Sequence, residues 1–136
     1  MQETIQTTYL GGLRTEAVHV RSGNKLITDA PVDNHGKGET FSPTDLLATS
    51  LASCILTIMG IKAEANEFNI DGATAKTWKI MGENPRRVAE VKIEYDFSMC
   101  TLTEKEKTIL RNLVKVSPVP LSLHDETKQT VSLKFS

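Results

Sequence analysis

Ser42-Pro43-Thr44-Asp45 opens an uncharged run from Leu46 to Ile61, and the reading of that run decides the fold. Ser42 is a good N-cap, and Pro43 suits the first helical position. Asp45 falls third, where a carboxylate favours a helix N-terminus. The small polar members of the run, Thr49, Ser50, Ser53 and Thr57, do not all share one face. A helix apolar on nearly all sides is either buried or in a membrane. Crossing a bilayer takes ~20 apolar residues. This run is shorter, and Lys62 and Glu64 follow at once, so a central, buried helix is expected.

Outward from that helix the chain reads as strands. Thr4 to Leu10 and Leu13 to Val20 are rich in β-branched residues, with Gly11-Gly12 between them. Ser22-Gly23-Asn24 is a second turn leading to a strand at Lys25 to Asp29, and Ala30 to Phe41 is a loop. Beyond the helix, Phe68 to Gly82 and Arg86 to Ser98 read as two strands joined at Glu83-Asn84-Pro85. Alternation is clear from Val91 through Ile93, Tyr95 and Phe97. Thr103 with Glu106 fits a capping box for an amphipathic helix that runs to Val116 and ends before Pro118. Val119 to Leu123 is a short turn or helical piece, and Thr130 to Phe135 closes as a strand. The expected fold is α+β with order βββ-α-ββ-α-β, antiparallel sheets and one domain over 1–136. One small sheet covers only one side of so apolar a helix. Two chains packing their central helices together would resolve this, giving an obligate homodimer.

Composition narrows the function classes. The chain has 136 residues, 16 Lys+Arg against 17 Asp+Glu, and a net charge of -1. That is one domain with its own core, and no basic field for nucleic acid or acidic lipid. Two cysteines do not make a disulfide scaffold. The start, Met1-Gln2-Glu3-Thr4, has neither a basic nor an apolar leader region. A cytoplasmic protein with two reduced thiols is expected, with no nucleic-acid or membrane partner.

Cys54 lies inside the central helix. A lone cysteine there reads either as a small inert hydrophobe or as a nucleophile. For the second reading a nearby cation must lower the thiol pKa from ~8.5. A helix N-terminus cannot supply that charge, because Cys54 is about three turns inside.

The stretch Phe41-Ser42-Pro43-Thr44-Asp45-Leu46-Leu47 followed by Ala48-Thr49-Ser50-Leu51-Ala52-Ser53-Cys54 resembles the osmotically inducible protein C / organic hydroperoxide resistance (OsmC/Ohr) family. Weaker likenesses lie at Gly12-Leu13-Arg14, at Asp29-Ala30-Pro31 with its Gly-rich loop, and at Ser117-Pro118-Val119. The resemblance implies an intertwined homodimer built on two such helices, and thiol-dependent reduction of hydroperoxides, often organic ones. Cys54 then matches the peroxidatic position, Asp45 an acidic position of some subgroups, and Arg14 is the nearest candidate for the activating Arg. An external dithiol, lipoyl or thioredoxin-like, would reset the thiol; no cofactor or metal is implied.

Two departures from the family pattern stand out. Thr44 occupies the place where other members carry Glu. Ser117 stands at the resolving-Cys position, and a serine cannot form the disulfide. Asp45 and Cys54 are ~13–14 Å apart along one helix and roughly on opposite faces. Asp45 could therefore assist a thiol only across two antiparallel helices of a dimer; its other reading is as a helix cap. Lys37, on His35-Gly36-Lys37-Gly38, is a reserve cation, and Cys100 reads as a buried structural thiol with a possible use as substitute resolver. His19, His35 and His124 have no metal spacing; His124 could line the same cleft as Ser117. Leu47, Leu51, Ile55, Ile58 and Met59 are candidate linings of an apolar pocket suited to an organic hydroperoxide. The rival readings are a non-catalytic small-ligand binder and a one-Cys redox sensor.

Overall fold

The computed structural model describes residues 1–114 and 118–136, in two packing units, Met1–Leu46 and Leu47–Ser136. Ser117, the expected resolving position, lies outside the described residues, as does the expected end of the second helix at Val116.

The first unit holds strands β1 (Ile5–Gly11), β2 (Arg14–His19) and β3 (Lys25–Asp29) in an antiparallel sheet of that order. The β1–β2 turn needs a left-handed backbone, which Gly11 and Gly12 adopt at φ +84° and +63° without the penalty a side chain would bring. After β3 the chain folds tightly on itself. Asn34 N–H and Gly36 N–H both donate to the Pro31 carbonyl. A Cβ at Gly36 would sit 1.7 Å from the Ala30 carbonyl oxygen, so only glycine fits there.

Helix α1 runs from Pro43 to Ala65, with its first turn in this unit and the rest in the second. It is longer than its uncharged stretch. By length and composition it could cross a membrane, yet only 33% of its most apolar window is buried. That fraction agrees with the expectation that one chain's sheet covers only one side of the helix. Within the chain one line is covered, Ala48, Leu51, Ile55, Met59 and Ala63, at helical spacing. Ser50, Ser53, Thr57 and Ile61 remain exposed.

The second unit is built on the sheet β4 (Thr74–Gly82), β5 (Arg87–Asp96) and β6 (Lys128–Lys134). Val91, Ile93 and Tyr95 of β5 have no exposed surface and share one core with the covered line of α1. Phe97 continues this core and stacks on Phe135 with ring centroids 5.5 Å apart. The strand alternation begins at Val91 because a register shift at Ile80/Met81 breaks it earlier.

Helix α2 (Glu104–Arg111) carries the expected capping box, both halves between Thr103 and Glu106. It ends at Asn112, short of the expected extent. Helix α3 (Pro118–Ser122) is the expected short piece. β4 begins at Thr74 rather than near Phe68. There Asp71 N–H turns back to Asn69 Oδ1 and Ala73 N–H to the Ile70 carbonyl, using groups a strand would pair. The α+β class stands, with two small sheets. One detail is corrected: β6 runs parallel to β5, so the second sheet is mixed rather than antiparallel. Residues 97–127, with α2 and α3, carry the chain back over the length a parallel return needs.

Candidate functional site

Cys54 is half-buried on α1 and forms no disulfide. Helical spacing sets it on the flank between the covered line and the exposed stripe, with Ser50, Thr57 and Ile61 beside it. Beneath this segment Tyr95, with no exposed surface, donates its hydroxyl proton to the Ala52 carbonyl at 2.8 Å. Burial pushes the Tyr95 phenol well above its ordinary pKa, and the charge of the Cys54 thiolate pushes it the same way. Tyr95 therefore stays protonated and acts as a donor in the neighbourhood of this thiol. Nothing in the spacing of the sequence singled it out beyond a core position on β5.

The apolar residues expected along a pocket divide into two groups. Leu51, Ile55 and Met59 have no exposed surface and are the core itself. Leu47 and Ile58 remain half-buried, on the same side of the helix as Cys54.

Asp45 is a capping residue. Its Oδ2 accepts from Ser42 N–H at 2.9 Å, while its own N–H donates to Ser42 Oγ at 3.1 Å, a reciprocal box on a nearly fully buried serine. Thr44 and Ser42 share a hydroxyl–hydroxyl hydrogen bond at 3.2 Å.

Arg14, in the first unit, is held by Asp29 at the end of β3, a residue outside the expected site set. Arg14 Nε lies 2.7 Å from Asp29 Oδ1 and Nη2 2.8 Å from Oδ2, a bidentate pair. The Asp29 side chain is 1% exposed and that of Arg14 31%. Glu39 N–H also donates to Asp29 Oδ2 at 3.2 Å. Hydrogen bonds from Arg14 hold the Asp29 carboxyl below its ordinary pKa against the opposing effect of burial, and the Lys37 charge adds to this. A sequence signal for the pair existed. In the hairpin turned by Ser22-Gly23-Asn24, the register that sets Val18 opposite Lys25 also sets Arg14 opposite Asp29.

Cys100 is buried at 8% exposure, and its Sγ–H donates to the Asp71 carbonyl at 3.8 Å. Burial raises its pKa, and the carboxylates of Asp71 and Asp96 raise it further. His124 accepts from Glu126 N–H through Nδ1 and lines a cleft of about 460 Å³ with Asp125, Lys128 and Gln129. Among the described residues no three His, Cys, Asp or Glu gather as a metal site.

Comparison with known proteins adds a family. The sequence profile of the OsmC-like protein family matches residues 36–132. A candidate osmotic stress induced and detoxification response protein from Psychrobacter arcticus is 52% identical, with TM-score 0.93 over 98% of this chain and 96% of that one. The OsmC-like protein from Mycoplasma pneumoniae superposes with TM-score 0.77 at 17% identity, covering 99% and 97%. The organic hydroperoxide resistance protein OsmC from Legionella pneumophila does so with TM-score 0.74 at 16% identity, covering 98% of each chain. At these low identities the last two show the fold. Among curated proteins no match is found.

Proposed function

The chain belongs to the OsmC-like protein family, and on that premise we propose that it is a thiol-dependent redox protein reducing organic hydroperoxides at Cys54. The observation that carries this reading is the position of Cys54. It is half-buried on a helix flank rather than sealed in the core, while the second thiol is buried with its pKa raised. The names of relatives point the same way, towards detoxification and organic hydroperoxide resistance.

In this chemistry the Cys54 thiolate attacks the terminal peroxide oxygen and the O–O bond breaks. The alkoxide takes a proton and leaves as an alcohol, and the sulfur becomes a sulfenic acid. The peroxide is reduced by two electrons and the thiolate oxidised by two. An external dithiol, lipoyl or thioredoxin-like, then displaces water to give a mixed disulfide, and its second sulfur releases Cys54 as a thiol. Ser117 at the resolving position excludes the disulfide of the usual two-Cys cycle, and in this reading the external reductant resets the thiol. Arg14 is the cation assigned to polarise the peroxide. Asp45 keeps its capping role in its own chain, and any help it gives goes to the thiol of a second copy. A homodimer would cover the exposed stripe of α1, placing a second protein helix where a membrane would otherwise be needed. Free thiols fit a reducing compartment, the cytoplasm.

The same absence of a resolving cysteine favours a second reading, a one-Cys sensor whose sulfenic acid persists until a partner thiol meets it. Consumption of cumene hydroperoxide with dihydrolipoamide as reductant tests the enzyme reading. The wild type and Cys100→Ser are expected to turn over, and Cys54→Ser is not. Equal inactivity of wild type and Cys54→Ser across reductants would end the enzyme reading.

A further inference from the structure

We propose that Tyr95 is a positioning residue for Cys54: its buried hydroxyl, bonded to the Ala52 carbonyl, sets how far α1 is rolled on its sheet and so holds the thiol on an open flank of the helix. The inference deepens the reading of Cys54 as the working thiol and rests on it. Every group it uses lies in the second unit, Leu47–Ser136.

Periodicity leaves the roll of α1 weakly determined. Successive residues turn by ~100°, so Ala52 and Leu56 lie on one side of the covered line and Leu47, Cys54 and Ile58 on the other. All of them are half-buried. Burial of apolar surface is non-directional and scales with area. The Cys54 flank, with a leucine and an isoleucine, has more of it to bury than the Ala52 flank, with an alanine and a leucine. Packing alone would roll Leu47 and Ile58 inward and take Cys54 under with them.

A directional contact opposes that roll. Tyr95 has no exposed surface, and its hydroxyl donates to the Ala52 carbonyl at 2.8 Å. In the helix pattern that carbonyl also takes the Leu56 N–H, so the Tyr95 bond is additional to those of the helix itself. A buried phenol needs a partner, and its bond weakens steeply outside a narrow range of distance and angle. Tyr95 is not placed to follow a rolling helix. It sits on the central strand between Ala75 and Leu133, with its ring against Phe97 at 6.3 Å between centroids. Rolling toward the Cys54 flank would strand the hydroxyl in the core. The present roll satisfies it and leaves Cys54 half-buried.

Iodoacetamide alkylation of Cys54 in the folded, reduced protein tests this, read by mass spectrometry of the Cys54 peptide. Wild type is compared with Tyr95→Phe and with Tyr95→Phe combined with Ile58→Ala. Tyr95→Phe keeps the ring and loses the hydroxyl. It should slow Cys54 by up to roughly fivefold, the shift in equilibrium that one net hydrogen bond corresponds to. Ile58→Ala lightens the competing flank and should return the rate toward wild type. The kcat for cumene hydroperoxide should follow the same order.

A hydroxyl that only adds stability predicts the opposite sign. Tyr95→Phe would then loosen the helix and speed Cys54, and Ile58→Ala would speed it further. Acceleration, an unchanged rate, or no recovery with Ile58→Ala overturns the proposal. Should Tyr95→Phe fail to fold, Leu56→Ala and Ile58→Ala decide with Tyr95 in place. Leu56→Ala should slow Cys54 and Ile58→Ala should not; equal or reversed effects overturn the proposal. If the wild type turns over no hydroperoxide, the enzyme reading falls, while the alkylation rates continue to judge Tyr95.

Discussion

Cys54 and Cys100 belong to one packing unit and carry the same functional group, but their surroundings treat it in different ways. Cys54 rides the flank of α1, with Ser50, Thr57 and Ile61 opening beside it. Cys100 is tucked under the turn that follows β5, its N–H on the Phe97 carbonyl and its thiol proton on Asp71. Two carboxylates and burial make the charged form of Cys100 costly. The residue type is identical, so any difference in reactivity between the two has to come from place in the fold. The lesson agrees with the family position of Cys54, but it is reached from burial and charge alone.

The largest expected contrast is in alkylation. Iodoacetamide at pH 7.5 should modify Cys54 faster than Cys100 by ~100-fold in the folded protein, read by mass spectrometry of the two peptides. Raising the pH to ~8.5, the ordinary thiol value, should not close the gap. A raised pKa means less thiolate of Cys100 at every pH, so its rate climbs only above that point. Comparable rates at neutral pH would erase the distinction between the two sites.

Next in size is Leu51→Ala, beneath α1. Leu51 has no exposed surface and packs in the core with β5, so truncation should cost about 2–5 kcal/mol in chemical denaturation. Because the core is shared, Cys100 should gain reactivity along with Cys54. If only Cys54 responded, the two thiols would belong to separate cooperative regions.

Tyr95→Phe is subtler. It removes one hydroxyl from the Ala52 carbonyl at a cost of about 1 kcal/mol and should change the Cys54 alkylation rate while sparing that of Cys100. Smallest is Asp71→Asn. Removing one carboxylate should lower the Cys100 pKa slightly and raise its alkylation rate modestly, without changing Cys54.

Much of this contrast was legible in the sequence because it rests on local patterns. The N-cap at Ser42 with Asp45, the box at Thr103 with Glu106, and the strand at Lys25–Asp29 follow from neighbouring residues and stand as expected. The parallel direction of β6 was not legible, because strand direction depends on where a long crossover returns the chain. The same holds for the start of β4. Residues 68–71 alternate apolar Phe68 and Ile70 with polar Asn69 and Asp71, but local turns at Asn69 and Ile70 consume their backbone groups. At the site, the burial of Cys100 stands as expected, whereas the half-buried position of Cys54 depends on which face of α1 the sheet covers. The Arg14–Asp29 pair needed the hairpin register, which the turn residues contained and composition did not. The hydroxyl of Tyr95 under Ala52 joins residues far apart in the chain, and no local rule reaches it.

The most direct measurement is one equivalent of cumene hydroperoxide added to the reduced protein, with dimedone present and both cysteine peptides read by mass spectrometry. If Cys54 is the working thiol, the sulfenic-acid adduct forms on the Cys54 peptide and the Cys100 peptide stays unmodified. An adduct on Cys100, or none on Cys54 while the peroxide is consumed, would contradict that assignment.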